Sequence, residues 1–182
     1  MIFGATGVVS GDFDRNTAAG YRARLELKTA IGEGTLTTRL QSDNLGSATG
    51  ATPEGSLSWT GDAAGTVAVD ALKYEFPLTP QTQLVVAANA GASDDFTDTI
   101  NPYFDGDGAS GSISAFGNRP SIYYTVQGAG AGIRHKLSDS VELSLGYLSS
   151  TSNTPTTGNG LFGGSYGALA QLTFKTGENS KV

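Results

Sequence analysis

From Tyr21 to Lys28 the chain alternates without a break between two kinds of side chain. Tyr21, Ala23, Leu25 and Leu27 form one set, and Arg22, Arg24, Glu26 and Lys28, all ionised, form the other. A period of two is the signature of a β-strand, whose successive side chains point to opposite faces. The stretch therefore carries four consecutive charges along one face and an apolar row along the other. Burying those charges in a dry interior would cost several kcal/mol each unless every one were paired. The charged face needs water or built-in partners, and that requirement governs what the rest of the chain can be.

Period-two patterning dominates the remainder, and no stretch reads as an amphipathic helix. Strands are expected at 2–10, 18–30, 35–45, 66–78, 82–92, 122–137, 141–149 and 164–175. Several reach the roughly 9–11 residues that a tilted membrane-spanning strand requires. The connections sort by length. IGEG (31–34), TPQ (79–81) and SDS (138–140) are short, whereas 11–17, 46–65, 93–121 and 150–163 are long, and the two kinds alternate. In an antiparallel meander this gathers tight turns at one end and long loops at the other, as in outer-membrane barrels. The expected fold is all-β: an antiparallel up-and-down transmembrane β-barrel, eight strands of which lie in this chain.

Pointing the apolar set outward exposes Leu36, Thr38 and Leu40, then Leu72, Tyr74, Phe76 and Leu78, then Leu84, Val86, Ala88 and Ala90. Val141, Leu143, Leu145 and Tyr147 follow, then Tyr166, Ala168, Ala170, Leu172 and Phe174. Tyr21, Tyr147 and Tyr166 fall toward the long loops, and Tyr74, Phe76 and Phe174 toward the short turns. Two aromatic bands separated by aliphatics match the girdles at the two membrane interfaces. The opposite face holds Arg22, Arg24, Glu26, Lys28, Thr35, Thr37, Arg39, Gln41 and Asp43. Lys73, Glu75, Asn89, Arg134, Lys136, Glu142, Gln171 and Lys175 continue it, as the lining of a water-filled lumen. Gly128, Gly130 and Gly132 share this inward parity and would leave free space there.

Composition agrees. Glycine accounts for 26 of 182 residues, about twice the usual roughly 7%. Leu, Ile, Val and Phe together come close to the roughly 20% at which ordinary sequences approach disorder, too few for a conventional core yet strongly patterned. Cysteine is absent, which excludes disulfides and thiol chemistry. No apolar run reaches the roughly 20 residues of a membrane helix. The first residues, MIFGATGVVSGD, lack the basic region and cleavage site of a signal peptide, and the chain is expected to be a piece of a longer protein.

Charge divides between wall and loops. Arg22, Arg24, Lys28, Arg39, Lys73, Arg134, Lys136 and Lys175 lie on the inward face with Glu26, Asp43, Glu75 and Glu142. The long loops hold Asp12, Asp14, Glu54, Asp62, Asp94, Asp95, Asp98, Asp105 and Asp107 against Arg15 and Arg119. The net charge of −6 thus sits at a loop mouth above a basic wall, a field able to select solutes by charge. The bland reading is that the loop acids only keep the mouth solvated. The 93–121 loop is long enough to fold inward and narrow a pore. Its DGDGASG run (105–111) opens like a calcium loop but lacks the third oxygen ligand and the distal Glu, so no metal is assigned. His135, the sole histidine, points outward near the SDS turn and has no orienting carboxylate or nucleophile. No phosphate loop and no basic–aromatic patch for nucleic acid is present. The chain is expected to be no enzyme and to use no cofactor.

Three stretches carry a family resemblance: RARLELKTAIGEGTLTTRLQSDN (22–44), the segment from LKYEFPLTPQTQLVVAANAG to NRPSIYY (72–124), and GAGAGIRHKLSDSVELSLGYLSS with NGLFGGSYGALAQLTF (128–150 and 159–174). They resemble the cyanobacterial OprB-like outer-membrane porins, described as carbohydrate-selective or iron-uptake porins, over nearly the whole chain. The resemblance implies that residues 1–182 are a fragment of a porin barrel of about 16 strands. An N-terminal S-layer-homology domain and the remaining strands would lie outside it. It further implies an outer-membrane location in a cyanobacterium, with membrane lipid and small solutes as partners, and leaves homo-oligomerisation open. Passive transport of carbohydrates or of inorganic ions, iron included, is the implied function. A small closed barrel with anchoring or adhesive loops, and a soluble extracellular β-sandwich, are the alternatives.

Overall fold

Short polar turns set the topology. In the computed structural model, which describes residues 2–4, 18–44, 61, 63–104, 112, 114, 116–177 and 180–181, every tight reversal occurs at a residue suited to it. Gly32 takes a φ of 59° between strands β3 (Arg22–Ile31) and β4 (Gly34–Asp43), a left-handed conformation that costs glycine nothing. Pro80 and Gln81 turn β5 (Ala68–Thr79) into β6 (Thr82–Gly91), where the Thr79 hydroxyl accepts from the Gln81 amide at 3.2 Å. Asp139 and Ser140 join β7 (Gly128–Ser138) to β8 (Val141–Ser149), with the Ser140 amide donating to Ser138 Oγ at 3.2 Å. Strand β9 (Tyr166–Gly177) follows a long loop, and β10 (Ser180–Lys181) pairs with its end. The sheet order is β10-β9-β8-β7-β6-β5-β4-β3, an all-β antiparallel up-and-down meander.

Seven of the expected strands are present, with three adjustments. The expected 18–30 strand divides at Tyr21: β2 (Ala18–Gly20) pairs with β1 (Ile2–Gly4) in a separate two-stranded sheet. Residues 5–10 of the first expected strand lie outside the described residues. The expected 122–137 strand begins only at Gly128, because Ser121–Tyr124 form a 3-10 turn that turns Tyr123 inward, 3% exposed. Strand β6 carries a bulge over 88–90, where Ala90 takes a φ of 47° and register shifts against both neighbours. The bulge takes Asn89, expected to line the inward face, into an exposed position. Among the described residues no ladder joins β3 to β9 or β10.

The chain divides into two compact units. Residues 1–25, 40–69 and 101–120 form one, and 26–39, 70–100 and 121–182 form the other. The larger unit buries the wrong face by the standards of a soluble sheet. Apart from Ser149 at the loop end of β8, its buried strand side chains are Thr37, Ala71, Val85, Ala87, Ser144, Leu148 and Thr173, all on the polar parity. The large apolar residues of the opposite parity stay uncovered, with Val86, Leu145 and Leu172 each more than 40% exposed. Strand β9 displays this most simply, its even-numbered residues from Tyr166 to Phe174 exposed and Gly167, Leu169, Gln171 and Thr173 covered.

Candidate functional site

The polar face of the larger unit carries the candidate site, and its central feature is a strap from the long loop after β6. Ser93–Asp95 form a 3-10 turn, fixed by the Asp95 carboxylate accepting from the Ala92 amide at 2.8 Å. The Thr97 hydroxyl donates back to the Ser93 carbonyl at 2.7 Å. Between these anchors Phe96 points at the sheet and is 2% exposed. Its ring lies on Gly132 and Gly146, which stand directly opposite each other on β7 and β8. A Cβ built on either glycine would overlap the ring. Of the three glycines expected to leave free space, Gly132 has that space filled by the ring, which covers backbone that Gly132 and Gly146 leave bare.

Ion pairs fasten the strap on both sides. Lys73 of β5 pairs with Asp95, both nearly out of solvent. Arg134 of β7 holds Asp98 at 2.8 Å. Tyr123 donates its hydroxyl to Gln171 Oε1, while Gln171 Nε2 donates to the Asp98 carbonyl at 3.0 Å. Tyr123 also lies 3.2 Å from that carbonyl. Asp95 and Asp98 are therefore built into the sheet's polar face rather than standing as solvated loop acids, and Asp94 is half-buried beside them. Asp105 and Asp107, with the rest of DGDGASG, lie outside the described residues, as do Asp12, Asp14, Arg15, Glu54 and Asp62.

Between the strap and the short turns lies a concave recess of about 710 Å³. Glu33, Glu75, Asp98, Asp139 and Glu142 line it with Arg134, Lys136 and Lys175, alongside Gln83, Thr35 and Thr173. Of the seventeen residues expected on the inward face, Thr35, Glu75, Arg134, Lys136, Glu142 and Lys175 meet here. Arg39 is instead committed to Asp70 at 2.5 Å, and Glu26 and Lys28 form an exposed pair at 3.7 Å. In the smaller unit, Arg24 donates to Gln41 Oε1 at 2.6 Å, and Gln41 donates to Asp43 at 2.8 Å. Asp43, expected to face open water, is 3% exposed and accepts from the Ala63 amide at 2.7 Å. It holds Ala63 in place, because a carboxylate is the acceptor best able to satisfy a buried amide. Arg22 is half-buried.

On the apolar face the aromatics of the larger unit gather into two groups. Tyr74 and Phe76 stack at 5.2 Å, and Tyr74 donates to the Ile31 carbonyl at 2.7 Å beside the first short turn. Phe174 stands opposite Val141 at the last one. At the other end Tyr147 stacks on Tyr166 at 5.6 Å and meets Phe162 at 5.9 Å. In the smaller unit, the Tyr21 amide donates to Asn44 Oδ1 at 2.9 Å, and the Tyr21 hydroxyl lies 3.2 Å from Ser42 Oγ. His135 sits at the short-turn end, its Nδ1 2.9 Å from the Thr82 hydroxyl across the strands.

Residues the sequence reading did not assign include Phe96, Tyr123, Phe162 and Asp70. A signal for the first was present: Val85, Ala87, Leu148 and Leu169 fall on the polar parity, and an apolar patch on a wetted face needs a cover. Among the described residues no cluster of His, Asp and Glu has metal-binding geometry.

Two curated relatives match. One is an uncharacterized protein of Synechocystis sp., 34% identical over 174 residues, 94% of this chain and 32% of the relative. The other is an uncharacterized protein of Nostoc sp., 34% identical over 194 residues, 96% of this chain and 33% of the relative. The chain thus spans about a third of the length of each. No protein-family model matches the chain, and no solved structure matches it.

Proposed function

We propose that the chain forms wall strands of a porin in an outer membrane, admitting small solutes by passive diffusion. The observation that carries this reading is the reversal of faces. Aliphatic side chains such as Leu145 and Leu172 are exposed while Ser144 and Thr173, their neighbours in sequence, are buried. Monomeric soluble proteins rarely leave so continuous an apolar surface uncovered, and lipid would cover it. The sorted turns and the two aromatic groups at opposite ends of the apolar face support the same orientation. The charged recess supplies the wet side, with ionised groups that hold water and solute and no chemical step to perform. Both relatives are cyanobacterial, in keeping with an outer membrane of the Gram-negative type.

The test is planar-bilayer conductance, with the full-length Synechocystis relative measured alongside. Discrete conductance steps are expected. An anchoring barrel shares the same two faces, and the absence of any steps from either protein, despite membrane insertion, would favour it instead.

A further inference from the structure

We infer that the recess favours cations over anions, and that Glu75 is a residue that sets the preference. The inference rests on the porin reading and adds the charge class of the solute to it. On the strands alone the inward face is richer in bases than acids, which points toward anions. The strap reverses this. Asp95 engages Lys73, and Asp98 engages Arg134.

Those two bases are the natural partners of Glu75. Lys73 precedes it by two residues on the same face of β5, and Arg134 stands opposite Gln83 on the neighbouring strand pair. Gln83 is the group that reaches Glu75, through one long hydrogen bond of 3.4 Å. With both bases held by the strap, no ion pair among the described residues includes Glu75. Of the other charged groups in the recess, Glu33, Asp139 and Glu142 outnumber Lys136 and Lys175. A recess with low-dielectric walls focuses such an excess into a local potential that gathers the opposite charge. The potential is screened over about 10 Å at 0.1 M salt and about 3 Å at 1 M, so the preference should weaken as salt rises.

The experiment is the reversal potential of the protein in planar bilayers under a potassium chloride gradient. A potassium-to-chloride permeability ratio above unity is expected, larger at 0.1 M than at 1 M. Glu75→Gln, which removes one of the uncompensated carboxylates, should lower the ratio by about twofold, an order-of-magnitude figure for one charge in a focusing channel. Asp98→Asn, which releases Arg134, should move it in the same direction. Should Glu75→Gln fail to insert, Glu142→Gln carries the same expectation. Channels that prefer chloride, or a ratio indifferent to these substitutions, would overturn the inference and leave the porin reading standing. An absence of channels would overturn both.

Discussion

The ring of Phe96 lies against the backbone of Gly132, in a place no other residue at 132 could leave open. With Gly146 beside it, the glycine pair forms a cradle that fixes the strap against the polar face. Truncating the ring removes nearly all of that contact, and burial of a Phe side chain at this depth is worth about 3 kcal/mol or more. Phe96→Ala should lower unfolding stability by about that amount, and Gly132→Val should displace the strap from the other side. Urea unfolding of the folded protein in detergent measures both, and a loss below about 0.5 kcal/mol for Phe96→Ala would show that the ring is not seated as described.

Lys73 and Asp95 are coupled. Removing one partner leaves an uncompensated charge in a nearly solvent-free place, at a cost of about 3 kcal/mol. Lys73→Met and Asp95→Asn should each destabilise strongly, while the double substitution should cost less than their sum. A double-mutant cycle gives the coupling directly, and strict additivity would contradict the pair.

Tyr123 ties the 3-10 turn to the far strand through Gln171. Tyr123→Phe deletes the hydroxyl and leaves the Gln171 amide oxygen without its buried donor, which should cost about 1–2 kcal/mol. Thermal unfolding of the variant should show the fall, with the secondary structure of the folded state unchanged by circular dichroism.

The two faces of β8 should respond oppositely to charge. On the porin reading, Leu145→Arg places a cation against hydrocarbon, at about 2–4 kcal/mol near the bilayer midplane. Glu142→Arg changes charge on the wetted face and should cost little. Folding into lipid vesicles under a urea gradient compares them, and equal effects would remove the distinction between the faces.

Most of the sheet was legible because strands and turns are local. Alternation in Arg22–Lys28 and in Tyr166–Phe174 is a property of neighbours in sequence, and Gly32, Pro80 and Ser138 mark their turns within a few residues. The strap was only half legible. Loop length suggested that 93–121 folds inward, but the seat of Phe96 depends on Gly132 and Gly146, distant in sequence and opposed only once β7 and β8 pair. Charge was the least legible feature. Counting Lys73 and Arg134 as open wall gave a basic surface, because Asp95 and Asp98 belong by sequence to a loop and by structure to the wall. The bulge at 88–90 escaped for a related reason, since alternation continues through it in sequence while the backbone does not follow.

The central claim is that alternate residues of one strand face lipid and water. The chain has no cysteine, so single cysteines at 142, 143, 145 and 147 of β8 and at 136 of β7 can each carry a fluorophore in vesicle-inserted protein. Lipid-borne quenchers should act on labels at 143, 145 and 147, and aqueous quenchers on those at 136 and 142. That division of the labels between lipid and water is the predicted result. Aqueous quenching at 143, 145 and 147 would contradict the account.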